Sequence, residues 1–350
     1  MIPSSATLMQ NDLPDGFEDT EALDDFLTRP TEALRTDLQS IDGDIMVLGV
    51  GGKMGPTLAR LAKNAAPSKK VIAVSRFSST AARAGLEAHG VETIPCDLLD
   101  AEAVNALPKV KNIIFMAGRK FGSDGDQPQT WASNAVMPAM VAEAFKGSRI
   151  VAFSTGCVYA FTNVDGTGSR EGDPLAPPGE YANSCIARER IFEYFSAKHG
   201  TPGVLFRLNY AIDLRYGVLH DIAVRVKDGL PVDVSMGHVN VIWQGDANAL
   251  ALRCLTRAEV PSMPLNITGG DVVRVRWLAE RFGAIFGRDP IIVGTEAETC
   301  WLSDARKAIS IFGAPTVDLE KMIDWTADWV ARGGTSHNKP TGFENRDGAF

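Results

Sequence analysis

The chain has no apolar run approaching the ~18 to 20 residues needed to cross a bilayer, and its N-terminus lacks the basic-then-apolar layout of a secretory signal. A cytoplasmic protein with no membrane partner is expected. It has no C-x-x-C pair: Cys96, Cys157, Cys185, Cys254 and Cys300 are odd in number and widely spaced, which argues for buried reduced thiols and against a zinc site. Nor do His89, His199, His220, His238 and His337 fall at H-E-x-x-H or comparable spacing, so no metal is expected. Basic charge is in deficit, with a formal net charge of −8. That excludes nonspecific binding to nucleic acid or to an anionic membrane and leaves a small molecule as the expected partner. Repeats and low-complexity segments are also missing.

What is present is an ordinary globular composition, 45% hydrophobic and 22% charged over 350 residues, enough for a sizeable core in one large or two moderate domains. Residues 1–43 are acidic and carry two short helical patterns, read as a helical extension that packs its Leu and Phe side chains on the main domain, with a dimerisation arm as the alternative. From Ile45 short β-branched runs alternate with helical stretches, the pattern of right-handed βαβ units and a parallel sheet. Strands are predicted at 45–50, 71–75, 91–94, 112–117, 149–154 and 203–208, with helices near 55–65, 78–89, 100–106, 127–146 and 181–199. After Arg207 glycine and proline punctuate short apolar pieces, which reads as mainly a smaller, irregular lobe over 209–332. That lobe includes a helix at 271–287, a strand at 290–293 and a helix around 318–332. Residues 333–350 are polar and turn-forming and read as a flexible tail.

Chemistry enters at Gly49-Val50-Gly51-Gly52-Lys53-Met54-Gly55, between the apolar run Ile45–Leu48 and a helical pattern. Glycines at such a turn let the backbone approach a pyrophosphate, whose charge meets the free N–H groups and the positive end of the following helix. A dinucleotide is the implied ligand. Further on, Phe153-Ser154-Thr155-Gly156-Cys157-Val158-Tyr159 closes a strand, and Tyr181 opens a long helical stretch.

Together these residues resemble the extended short-chain dehydrogenase/reductase superfamily, in its nucleotide-sugar epimerase and dehydratase branch, over roughly residues 44 to 332. The resemblance implies an α/β fold: a Rossmann-type doubly wound parallel sheet over 44–208, with a smaller C-terminal substrate lobe. It implies a catalytic hydroxyl at Thr155, a tyrosine acid/base at Tyr181, and a structural and proton-relay Asn at Asn134. Ala117 and Gly118 would pass beside the nicotinamide, and Asp97 with Leu98 would meet the adenine. Arg207-Leu208-Asn209-Tyr210, Asp246 and Leu265–Gly270 look like landmarks of the substrate lobe. A sugar or nucleotide-sugar is the implied substrate, and helices 127–146 and 181–199 are where a homodimer would form. Gly52–Gly55 also resembles the nucleotide loop of dihydrodipicolinate reductase, whose histidine- and lysine-rich segment has no counterpart here.

Two departures stand out. Cys185 lies where the family's Tyr-x-x-x-Lys motif has its lysine, the residue that holds the nicotinamide ribose and lowers the phenol's pKa. A thiol does neither well, so either Arg188, two turns from Tyr181, serves as the local cation, or the chain binds the cofactor without turnover. Second, no acid occurs from Lys69 through Gly85, where NAD-preferring members place a carboxylate, while Ser75 and Arg76 suit a 2′-phosphate. NADP is therefore expected over NAD. For the substrate, the polar candidates are Arg119 and Lys120, and Tyr210, Arg215, Tyr216, His220, His238 and Asn240.

Overall fold

The structure, a computed structural model, describes residues 13–123 and 125–349. Seven strands form one parallel sheet. Numbered along the chain they are β1 (Ile45–Leu48), β2 (Val71–Ser75), β3 (Glu92–Pro95), β4 (Asn112–Phe115), β5 (Arg149–Thr155), β6 (Gly203–Leu208) and β7 (Met263–Ile267), in the order β7-β6-β5-β4-β1-β2-β3. The order reverses beside β1, so the carboxyl ends of β1 and β4 flank the crevice in which such sheets bind ligands.

Alternation along each strand feeds two cores. Ile45 and Val47 pack on one face with α2 (Glu32–Ser40), α3 (Gly55–Ala65) and the later helix Gln244–Arg253. Met46 and Leu48 pack on the other with helices Ala101–Ala106, Met137–Ala144 and Glu180–His199. Helices on both faces make the sheet doubly wound, as the alternating pattern predicted.

A third core forms the smaller lobe. It joins helix Val218–Asp228, helix Val275–Phe286 and helix Leu319–Ala331 to Leu23 and Leu27 of α1 (Thr20–Leu27). The N-terminal extension is thus divided: α1 packs into the lobe, and Leu34 and Leu38 of α2 into the sheet's core. Residues 1–12 lie outside the described residues.

Within 209–332, expected to be mainly the lobe, β7 returns to pair with β6 and becomes the sheet's edge. Two sequence expectations need correction. The helix expected over 127–146 is three pieces, Gln127–Trp131, a π-turn Ala132–Val136, and Met137–Ala144. The stretch 333–349, expected to be a flexible tail, is laid along the molecule. Phe343 is 1% exposed, Glu344 pairs with Arg225 at 2.7 Å, and Arg346 donates to the Thr299 carbonyl at 2.6 Å. One buried ring, an ion pair and hydrogen bonds from Arg346 anchor what composition alone reads as loose.

Candidate active site

A cavity of about 290 Å³ opens at the carboxyl ends of β1, β4, β5 and β6 and is closed by the lobe. Its floor is the glycine turn after β1. Gly49 has φ +88, and a Cβ there would lie 2.5 Å from the Ala117 backbone, so only glycine allows β1 and β4 to approach. Gly55 is equally constrained, since a Cβ would sit 2.1 Å from the Val50 carbonyl oxygen. Gly52 is different. A Cβ there would meet nothing closer than 3.9 Å, and the residue lines the cavity. The protein's own packing does not require glycine at this point, where the backbone is open to the cavity.

The β4 loop is fixed to helix Glu180–His199 through Asn134. Its Oδ1 accepts from the Arg119 N–H at 2.9 Å and from Arg188 at 2.6 Å, while its Nδ2 donates to the Arg119 carbonyl at 2.8 Å and to Ser184 Oγ at 2.9 Å. All four bonds depend on the π-turn that carries Asn134, a local widening of the helix often found at functional positions. Arg188 also donates to the Phe153 carbonyl at 2.8 Å, whereas its buried Nε has no partner and the side chain borders the cavity.

Thr155 ends β5 and Tyr181 sits in the first turn of the helix Glu180–His199. Their hydroxyls are hydrogen-bonded to each other on the cavity wall. Burial, then the thiols of Cys185 and Cys157, raise the Tyr181 phenol well above 10, and Arg188 and the Thr155 bond oppose them. Cys185 is fully buried and hydrogen-bonded to Tyr181; burial pushes its thiol up to about 11, so it is neutral at ordinary pH. Behind the wall, Glu189 and Arg207 form a buried pair at 2.6 Å, and Ser154 donates to the same Glu189 carboxylate at 2.5 Å. That pair ties the helix to β5 and β6.

The other positions divide clearly. Gly52, Lys53, Met54, Gly118, Arg119, Arg188 and Tyr210 line the cavity with Thr155 and Tyr181. Gly51 faces Ser75 Oγ, Arg76 is exposed just past β2, and Asp97 and Leu98 follow β3, all on the same edge of the sheet.

Four substrate candidates do not reach the cavity wall. Arg215 is consumed by Asp213 at 2.6 Å and Asp24 at 2.9 Å, His220 bonds Ser336 at 3.0 Å, and His238 lies in the small strand paired with Val273–Arg274. Asn240 stands one layer back, accepting at 2.7 Å from Asn209, which does line the cavity.

Phe121, Ser154, Gln244 and Thr341 were not foreseen as lining residues. Phe121 lay one residue beyond the noted Arg119-Lys120 pair and Ser154 one before Thr155; nothing in the sequence signals Gln244 or Thr341. Lys53 points up from the glycine turn, its ammonium 3.0 Å from the Tyr216 ring centroid and 4.3 Å from that of Phe121. Burial first, then the charges of Lys120 and Lys339, lower its pKa to about 7. Among the described residues no group of His, Cys, Asp and Glu could hold a metal ion, and no helix is long and apolar enough to cross a membrane.

The sequence model of the NAD dependent epimerase/dehydratase family matches residues 45–212. Among solved structures, the chain is similar to the dTDP-glucose 4,6-dehydratase DesIV of Streptomyces venezuelae (TM-score 0.71, 18% identity, covering 83% of this chain and 97% of that one). It is similar also to the UDP-glucuronic acid 4-epimerase of Bacillus cereus (0.69, 15%, 83% and 99%) and the UDP-glucose 4-epimerase of Thermus thermophilus (0.67, 20%, 81% and 98%). No curated protein matches in sequence. These similarities extend over nearly the whole of those chains and are similarities of fold. The family's model thus covers just under half of this chain, and the solved structures show the same fold.

Proposed function

We propose that this chain is an NAD(P)-dependent oxidoreductase of the epimerase/dehydratase kind, acting on a sugar or nucleotide-sugar. The observation that carries the reading is the hydrogen-bonded pair of Thr155 and Tyr181, which shares a cavity with the glycine turn. The solved structures of similar fold that are bound to NAD include enzymes acting on UDP- and dTDP-sugars, which fits the reading. The residues suit a dinucleotide: Gly52 leaves room for a pyrophosphate at the N-terminus of α3, and the unpartnered Arg188 Nε offers a donor at the cavity wall. A dinucleotide held at Gly52 and Arg188 would supply a hydride acceptor and donor beside the substrate. Tyr181 takes the proton of the reacting hydroxyl at its phenol oxygen, Thr155 hydrogen-bonds the same group, and Asn134 keeps the β4 loop and the helix in register around them.

Because burial and two thiols hold the phenol above its ordinary value, turnover that uses it as base rises towards alkaline pH. The same environment supports a second reading, a cofactor-binding protein without turnover, in which the phenol stays protonated. For the cofactor, Arg76 and the missing carboxylate between Lys69 and Gly85 favour NADP. Fluorescence titration should show NADPH bound more tightly than NADH, and Arg76→Ala should weaken NADPH selectively by about tenfold or more, the worth of a charge-assisted bond. Equal affinities would overturn the NADP assignment.

A further inference from the structure

We infer that Lys120, delivered by the loop after β4, supplies beside Tyr181 the positive charge that Cys185 withholds, and so is the positioning residue for both the phenol and the ribose end of the cofactor. The inference rests on the cofactor reading above.

Cys185 stands one helical turn after Tyr181, fully buried among Val158, Tyr159 and Ile186, with its thiol already bonded to the phenol. It has no charge to offer. The Lys120 ammonium is 5.9 Å from the centroid of the Tyr181 ring and donates to the Thr341 carbonyl at 3.2 Å. Cys157 and Cys185, the two thiols that raise the phenol, also raise Lys120. The ammonium therefore lies in the region beside Tyr181, and both side chains line the cavity. Arg188 is placed differently. Its charge also lowers the phenol, but its guanidinium is anchored to the Phe153 carbonyl and to Asn134, which hold it in the cavity wall.

The groups that face Lys120 come from four further elements. They are Asp221 on the helix Val218–Asp228, Lys53 on the glycine turn, Cys157 after β5, and Tyr181 with Cys185 on the helix Glu180–His199. Asp221 is in turn held by the backbone N–H and hydroxyl of Thr341, at 2.7 and 2.6 Å. One residue of the C-terminal tail thus fixes both Lys120 and its nearest acid. Burial lowers the Lys120 pKa, so its charge is lost at a lower pH than an ordinary lysine's.

The test is NADPH affinity by fluorescence titration across pH, for the wild type, Lys120→Met, Lys120→Arg and Lys120→Met with Cys185→Lys, each checked for an intact fold by circular dichroism. The wild type should bind, Lys120→Met should bind about tenfold more weakly or worse, and the double variant should recover, because an ammonium has returned one turn from Tyr181. Lys120→Arg should keep the affinity and lose the alkaline fall-off. The difference between its profile and the wild type's separates Lys120 from Lys53, which titrates in the same cavity. A Lys120→Met variant that binds as the wild type does, or a folded double variant as weak as the single one, overturns the inference. A wild type that binds neither NADPH nor NADH overturns the cofactor reading itself.

Discussion

Lys53 shows how a single charged residue can work against the fold that carries it. It lies between Tyr216 and Phe121 near two other lysines, and its pKa falls to about 7. Below about pH 7 the folded protein must carry this charge in a poorly hydrated place that the unfolded chain does not impose, so the destabilisation is complete there. Between 7 and the ordinary lysine value of 10.5 the unfolded chain binds more protons than the folded one, and stability recovers as pH rises. Lys53→Met, which keeps the apolar stem, should therefore raise Tm at about pH 6, with the gain shrinking by about pH 9. A gain that grows with pH would contradict this account of the site. None of it was legible in the sequence, where Lys53 was one member of a glycine turn. Its titration depends on aromatic rings some 70 and 160 residues away. Thr155 and Tyr181 were legible, because each belongs to a local motif at a strand end or helix start. Arg215, His220 and His238 were not separable from true lining residues, because a polar residue in a loop reads alike whether it faces a cavity or an internal carboxylate.

At the scale of elements, β2 and β6 were read with their observed bounds, because unbroken β-branched and apolar runs ended at clear turn residues. β7 was not read as a strand. Met263-Pro-Leu-Asn-Ile267 carries a proline and an asparagine, and it pairs only at the sheet's edge, where a missing N–H is tolerated. The π-turn was equally invisible, since helical periodicity does not reveal one extra residue in a turn, yet it places Asn134. The extension's role can be tested at α2. Leu34 is fully buried in the core beneath the sheet, so Leu34→Ala should cost about 2 to 5 kcal/mol in urea unfolding. A loss below about 0.5 kcal/mol, typical of surface changes, would mean that α2 is a solvated appendage after all.

Across the whole molecule, the two ends of the chain join lobe to sheet. α1 enters the lobe's core while α2 enters the sheet's, and the tail runs from Arg215, through Thr341 at the cavity, to Gly348 against Gly179 at the start of the Tyr181 helix. On the outer side of the same helical layer, Trp131, Val136 and Tyr194 are 38%, 49% and 61% exposed. Apolar side chains of that size on adjoining helices fit the expected homodimer, whose contact would lie behind the active site. Sedimentation should then find a dimer, and Val136→Glu should shift it towards monomer. A wild-type monomer at micromolar concentration would remove the dimer from the proposal.

Tyr181, bonded to Thr155 above the glycine turn, is the proposed acid/base of a sugar oxidoreductase. The most direct measurement follows UDP-glucose, UDP-glucuronic acid and dTDP-glucose by NMR in the presence of NAD or NADP, with the wild type and Tyr181→Phe at equal, verified folding. We predict conversion of at least one of these sugars by the wild type, faster at alkaline pH, and a loss of about a hundredfold or more in Tyr181→Phe, the scale of a missing general acid or base. Undiminished turnover in Tyr181→Phe would contradict the assignment of the chemistry to this cavity, and a wild type that binds NADPH yet converts none of the three would contradict the sugar oxidoreductase reading and favour the binding protein.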